Sequence, residues 1–282
     1  MSIEKIAIVT GANKGIGYAI VKGLCEKFTG KVYLTSRDVF KGEAAIESLQ
    51  ELGYNPAYHE LDITNQTSVD KFKAYIAKNY GGVNVLVNNA GFAFSVKATE
   101  PFGKQAEVSV NVNYFGTLRV SEAFLPLLRQ NANVINVSSS LGHLAKIPSE
   151  EIRKKIADPS LTIAGLSDLM TEFVRAAKTD SNLEKTWGTS AYGVSKVGMS
   201  AMTIIHQRML DNETSSRNIH VNHVHPGYVA TNMNDYHGIL TVEEGAVAPL
   251  HLALNTHGWK GQFVWRDCTV ADWFGPKLPS VF

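Results

Sequence analysis

The amino-acid sequence predicts a doubly wound α/β fold, a parallel sheet with helices on both faces. Three observations carry that prediction. Short apolar runs alternate with amphipathic helical stretches through the first 140 residues. The runs are apolar throughout, as expected of strands covered on both sides. A glycine-rich turn joins the first run to the first helix.

The elements follow in order. Ile6–Val9 is the first strand, and Lys14–Phe28 repeats Ile16, Ala19, Ile20, Gly23 and Leu24 at helical spacing. Gly30 stops that helix, and Val32–Leu34 is the second strand. A helix from Phe40 to Leu52 carries Ala44, Ala45, Ile46 and Leu49 and ends at Gly53. Ala57–Leu61 is a short strand, and Ser68–Tyr80 is amphipathic through Val69, Phe72, Ile76 and Ala77. Val83–Val87 and Val134–Val137 are two further strands, with a long helical region around Glu107–Arg129 between them. Residues 141–188 are polar and helical in pattern, without a clear strand. A helix over Ala191–Leu210, a strand over Ile219–Val224, a helix near Val242–Leu254 and a final strand over Gln262–Trp265 complete the chain. No repeat, linker or low-complexity stretch divides it. One domain over residues 1–282 is expected, with 141–188 a helical insertion within it.

Composition narrows the function classes. With 27 basic and 26 acidic residues the net charge is +1, too even for the basic footprint of a nucleic-acid binder. A hydrophobic content of 44% excludes a disordered chain. Two cysteines, Cys25 and Cys268, cannot build a disulfide framework, which fits a reducing, cytoplasmic setting. No apolar run reaches the ~18 residues of a membrane span, and no secretory signal is expected.

The turn Thr10-Gly11-Ala12-Asn13-Lys14-Gly15-Ile16-Gly17 spaces its glycines G-x-x-x-G-x-G. That differs from G-x-G-x-x-G, yet it shares the physics: a tight turn, close backbone approach to a pyrophosphate, and a helix N-terminus whose amides bind anions. It lacks the G-K-[ST] ending of a P-loop. Where the second strand ends, an acidic side chain would hold a ribose 2′-hydroxyl. Here stand Ser36-Arg37-Asp38. Arg37 can fork onto a 2′-phosphate, with Lys14 joining it, which favours NADPH over NADH. Asp38 could pair with Arg37 and blunt that preference, or the pair could simply start a helix.

Tyr192 and Lys196 lie i, i+4 in Ser190-Ala191-Tyr192-Gly193-Val194-Ser195-Lys196, on one face of a helix. A cation beside a tyrosine lowers the phenol pKa, and such a phenol can hand a proton to a carbonyl oxygen. Alone, the pair could be ordinary helix surface. Three other strand ends add polar or turn chemistry on the same sheet edge: Asn88-Asn89-Ala90-Gly91, Val137-Ser138-Ser139-Ser140, and Pro226-Gly227 with Thr231 beyond.

Together T-G-x-x-x-G-x-G, N-N-A-G, N-V-S-S, Y-G-V-S-K and P-G-Y-V-A-T resemble the short-chain dehydrogenase/reductase family over nearly the whole chain. The resemblance implies a Rossmann fold, an NADPH/NADP cofactor across the glycine turn, and a small carbonyl substrate. It implies that Tyr192 is the proton donor, that Ser139 holds the carbonyl, and that Lys196 holds the nicotinamide ribose and lowers the tyrosine pKa. Asn113 matches the family's helix asparagine that supports the lysine through water. Asp62 and Ile63 match an adenine-contacting pair, Asn89 lies over the adenine ribose, and Val229 and Thr231 match carboxamide contacts.

Tyr192 follows Ser139 by 53 positions, far more than in most of the family. The surplus resembles that of the monomeric NADPH-dependent carbonyl reductases, in which an added helical segment such as Leu161–Lys178 would cover the helix-packing face used for oligomers. Plant ketone reductases of alkaloid and terpene pathways share a comparable insertion and stand as the alternative, as does a non-catalytic NADPH-sensing module. Phe94, Leu141, Tyr228 and Met233 are the expected apolar walls, suited to hydrophobic aldehydes, ketones and quinones. Some carbonyl reductases carry cysteines where this chain has Val224-His225, so thiol-dependent properties are not inherited. His220, His223 and His225 have no adjacent Cys or acidic partner, and no metal site is expected. The tail from Trp273 to Pro279 either closes over the pocket or packs on the surface.

Overall fold

In a computed structural model that describes residues 4–278 apart from 96, 215–216 and 256–257, eight strands form one sheet of order β3-β2-β1-β4-β5-β6-β7-β8. The chain runs β1 (Ile6–Val9), α1 (Gly15–Lys27), β2 (Lys31–Ser36), α2 (Val39–Glu51), β3 (Ala57–Glu60), α3 (Gln66–Tyr80) and β4 (Val83–Asn88). It continues through α4 (Phe102–Val110), α5 (Thr117–Phe124), β5 (Leu128–Val137), α6 (Glu150–Ala157), α7 (Ile163–Thr179) and α8 (Leu183–Thr186). It ends with α9 (Ala191–Asp211), β6 (His220–Val224), α10 (Val242–Leu254), β7 (Phe263–Val264) and β8 (Val270–Ala271). β1 to β7 are parallel and β8 alone pairs antiparallel, on β7. This is the expected doubly wound Rossmann architecture, with the strand order reversing between β1 and β4.

The alternation of β1 explains why its run is apolar throughout. Ala7 and Val9 join the core beneath α1, α2 and α10, while Ile6 and Ile8 join the opposite core beneath α3 and α5. Most helices start where a side chain can cap them. Asp38, Asn65, Ser149, Thr162, Ser190 and Thr241 each accept a backbone N–H of the first turn.

Three expectations need correction. The helix placed around Glu107–Arg129 is interrupted: Asn111–Gly116 forms a π-helical turn, and β5 already begins at Leu128. The polar start of β5 reads as helix because Arg129, Gln130 and Asn131 carry no strand signal, and Asn131 sits at a left-handed φ of 60°. The last strand is shorter than Gln262–Trp265, and β8 gave no periodic signal because it has two residues. Within 141–188 the structure is helical, as expected. α7 packs its Leu166, Met170 and Phe173 into the same core as Val110 of α4 and Val197 of α9. Among the described residues no helix is long and apolar enough to cross a membrane.

Candidate active site

The C-terminal ends of β1, β4, β5 and β6 meet along one edge of the sheet, and the helix that carries Tyr192 is bolted to that edge by polar bonds. Asn136 of β5 donates to Thr203 Oγ1 of α9 (2.8 Å) and accepts from Asn88 of β4 (2.8 Å). Ser138 pairs with Ser200 (2.8 Å). Lys196 Nζ donates to the Val137 carbonyl (2.7 Å) from a fully buried position. These bonds fix both the height and the rotation of α9 against β5.

The serine run is thereby sorted. Ser138 is buried and turned into α9. Ser139 caps the short turn Ser140–Gly142 by accepting from Leu141 N (3.1 Å), and its side chain stands near enough to the Tyr192 phenol to pull that group's pKa down. Ser140 offers its backbone N–H to His225 Nδ1 (3.0 Å). Of the three serines, Ser139 is the one whose side chain acts on the Tyr192 phenol.

Lys196 Nζ lies 5.7 Å from the centroid of the Tyr192 ring. Burial pushes the Lys196 ammonium down to about 7 and the Tyr192 phenol up to about 12, against a smaller downward pull from Ser139. The expected lowering of the phenol is reversed. Desolvation sets the direction for the phenol, and the same burial drives the lysine toward neutrality. A phenol raised in this way stays protonated at neutral pH, the state a proton donor requires.

Asn113 sits inside the π-helical turn, fully buried. Its side chain accepts from Phe92 N (2.8 Å) and donates to Phe92 O (2.9 Å) and Ser195 Oγ (2.9 Å), while Ser195 in turn donates to the Tyr192 carbonyl (2.7 Å). A Cβ at Gly91 would lie 3.3 Å from Asn113 Oδ1 and 3.5 Å from Lys196 Nζ. The missing side chain thus keeps open the floor beside the lysine. π-turns of this kind recur at functional sites.

Two strands away stands the glycine turn. Gly11 and Gly15 both take φ of 61°, which an L side chain resists, and a Cβ at Gly11 would come within 2.8 Å of Ala90 Cα. A Cβ at Gly17 would collide with the Asn89 amide and lie 2.9 Å from Ala12 Cα. Asn89 uses that amide to hold Thr10 O (3.0 Å) and Gly11 O (3.1 Å), so it braces the turn from β4. α1 begins at Lys14 without a side-chain cap, which leaves its first amides available to an anion. Asn13 and Ile16 are half-buried, Lys14 is exposed, and a Cβ at Gly15 would lie 3.5 Å from Thr231 Cγ2. The turn therefore fits the pyrophosphate of a dinucleotide.

At the end of β2, Asp38 caps α2 through Lys41 N (3.1 Å) and pairs with Lys41 Nζ (2.9 Å). Arg37 remains exposed and makes no ion pair among the described residues. This removes the feared competition for Arg37. Asp62 accepts from Thr64 N (2.8 Å) and Thr64 Oγ1 (2.7 Å), and Ile63 packs into the core beside Gly116.

Beyond β6, Pro226 is buried, Gly227 takes φ of 95°, and Val229 pairs with Leu240. Asn234, which no pattern singled out, bridges this loop: it donates to Val229 O (3.0 Å) and accepts from Thr231 N (3.1 Å). Of the expected walls, Leu141, Tyr228 and Met233 are 39%, 40% and 41% exposed, and Phe94 packs edge-on against Phe92 at 4.9 Å. A cavity of about 320 Å³ lies beside the N-terminus of α9, lined by Leu141, Ile147, Pro148, Trp187 and Val194 among others. It does not reach Phe94, Tyr228 or Met233. The tail packs under the serine turn: Trp273 Nε1 donates to Gly142 O (2.7 Å). Pro279 lies outside the described residues. No cluster of three metal-binding side chains occurs among the described residues.

An anion-binding glycine turn and a Ser–Tyr–Lys set on one edge of a Rossmann sheet define a dinucleotide-dependent oxidoreductase. Comparisons with known proteins point to the same class. The model of the short chain dehydrogenase family matches residues 5–149. The chain is 43% identical to NADPH carbonyl reductase 3 of Rattus norvegicus over 276 residues, 96% of this chain and 99% of that one. It is 42% identical to NADPH carbonyl reductase 1 of Homo sapiens over 272 residues, 95% and 98% of the two chains. Among solved structures, salutaridine reductase from Papaver somniferum superposes with a TM-score of 0.84 at 31% identity, covering 94% of this chain and 100% of that one. The chain belongs to the short-chain dehydrogenase/reductase family.

The buried lysine makes a stability prediction. Its folded pKa lies below the unfolded value, so the unfolded chain binds more protons between about pH 7 and 10.5 and stability rises with pH across that window. Lys196→Met should therefore raise the melting temperature of the ligand-free protein at pH 7. The gap to wild type should narrow by pH 8.5, below the pH at which the Cys25 thiol and the Tyr192 phenol begin to ionise. Thermal melts of both proteins at the two pH values check this; a gap independent of pH refutes it.

Proposed function

We propose that the protein is an NADPH-dependent carbonyl reductase that converts hydrophobic aldehydes, ketones or quinones to the corresponding alcohols, with Tyr192 as proton donor. The observation that carries this reading is the gathering of the Ser139 side chain and Lys196 Nζ about the buried Tyr192 phenol, the lysine 5.7 Å from the ring centroid. Kinship with reductases named for NADPH supports the cofactor.

When bound, NADPH supplies a hydride to the carbonyl carbon. The Gly11–Gly17 turn, with Asn13, Lys14 and the amides of Gly15 and Ile16, would hold the pyrophosphate. Arg37 would fork onto the 2′-phosphate. Asp62 and Ile63 would flank the adenine, with Asn89 at the ribose, and Pro226, Gly227, Val229 and Thr231 would line the nicotinamide end. Ser139 donates a hydrogen bond to the carbonyl oxygen, and Tyr192 passes its phenolic proton to the same atom. Lys196 steadies the phenolate that remains until solvent returns the proton. Asn113 and Ser195 hold the first turns of α9 in place. Leu141, Tyr228 and Met233 offer apolar surface to the rest of the substrate.

The likeness to salutaridine reductase favours cyclic ketones as a second substrate group. Two free cysteines, Cys25 and Cys268, support a reducing, cytoplasmic setting. α7, seated against α4 and α9, would cover the face on which related chains pair, which supports a monomer.

Tyr192→Phe should abolish NADPH oxidation across a panel of quinones, aromatic aldehydes and cyclic ketones while NADPH still binds, as read by fluorescence titration. Retained turnover would sink the mechanism. Arg37→Ala should raise the NADPH KM by about 10- to 100-fold and leave the NADH KM nearly unchanged, since one charge-assisted fork to phosphate is lost. Sedimentation at micromolar concentration should give a single species of one chain's mass; a stable tetramer would overturn the monomer.

A further inference from the structure

The turn that carries Ser139 has a donor that the turn's own residues do not satisfy. Leu141 N is taken by Ser139 Oγ (3.1 Å) and Gly142 N by Ser139 O (2.9 Å), whereas Ser140 N finds its acceptor 85 residues away at His225 Nδ1 (3.0 Å). The His225 ring has little freedom. Its backbone N–H is bound to Val264 O (2.9 Å), Pro226 follows it, and the ring lies 4.3 Å from Trp265 at 53°. It is 3% exposed, and its Nε2 is buried with no hydrogen-bond partner among the described residues.

To accept from Ser140, His225 must be neutral with its proton on Nε2. Burial, with Arg266 nearby, pushes its pKa down to about 4, so that form prevails at neutral pH. The proton on Nε2 then stands unpaired in a buried place, a cost with no return in stability. A leucine would fill the space without that cost. What the imidazole supplies, and a leucine would not, is an acceptor for the amide next to Ser139.

We propose that His225 is a positioning residue for the reductase reaction: through the Ser140 amide it sets the turn so that the Ser139 hydroxyl meets the Tyr192 phenol and the substrate carbonyl. The inference rests on the role proposed above for Ser139. It acts only through that hydroxyl, since His225 itself touches neither Ser139 nor Tyr192 through any hydrogen bond in the structure.

Three substitutions separate this role from plain packing. His225→Asn places an amide oxygen near the position of Nδ1 and keeps the acceptor. His225→Gln carries its acceptor one bond further out, near Nε2, and His225→Leu has none. Steady-state kinetics with a quinone and varied NADPH, together with melting temperatures, give the readout. kcat should fall at least about tenfold in the Leu and Gln variants, since a displacement of an ångström at a reacting group costs up to about a hundredfold. The Asn variant should stay within about threefold of wild type, and the NADPH KM should be unchanged in all three. The Leu variant should melt close to wild type, because the acceptor lost to Ser140 N and the unpaired Nε2 proton that is removed offset one another. In a Ser139→Ala background, His225→Leu should cost nothing further. Equal activity in the Asn and Gln variants, or an undiminished loss in the Ser139→Ala background, would overturn the proposal. Full activity of Ser139→Ala alone would remove the reading on which it rests. If His225→Leu fails to fold, the Asn and Gln comparison decides.

Discussion

The seam between α9 and β5 is the constraint on which the rest of the molecule depends. Most helix–sheet contacts in this fold are apolar, and apolar contacts tolerate small slides. This seam is different, because Asn136–Thr203, Ser138–Ser200 and Lys196–Val137 each have one acceptable geometry. A shift of one residue along the helix would leave several buried polar groups unpaired at once, each at about 1–3 kcal/mol. Rigidity at the seam is what keeps a hydroxyl on a strand end beside a phenol on a helix.

The same economy of parts governs the other half of the site. Asn89 reaches from β4 to brace the carbonyls of the glycine turn, so the amides at the start of α1 can face a phosphate. Asp38 closes α2 and leaves Arg37 to solvent. In both places a side chain that could have competed for the ligand holds the scaffold instead. Asn234 does the same for the loop after β6, tying Val229 to Thr231.

Legibility in the sequence followed the range of the interaction. β1, α1, α3 and α10 were readable to within two residues because buried strands and amphipathic helices write their periods into neighbouring positions. Tyr192 and Lys196 were readable for the same reason, four apart on one helix. What escaped depends on distant partners. Asn113 was legible only through the family pattern, while its bonds to Phe92 and Ser195 were not, and the Ser140–His225 bond spans 85 residues. The direction of the Tyr192 shift escaped too. Spacing revealed the cation, but burial is a property of the packed molecule, and burial prevailed.

The π-turn at Asn111–Gly116 has a consequence for how this chain can vary. A π-turn holds one residue more than an α-turn, so the helix here encodes a count as well as a composition. Deleting any one residue of the bulge would heal the helix into regular α form without breaking its hydrogen bonds. The helix on either side would keep its phase, because the wide turn is what absorbs the extra residue, and the change would fall on the side chains within the turn. Asn113 would leave Phe92 and Ser195 while the fold survived. Single-residue length changes in 111–116 should therefore be absent from working relatives even where substitutions abound, a tolerance to spelling without tolerance to length.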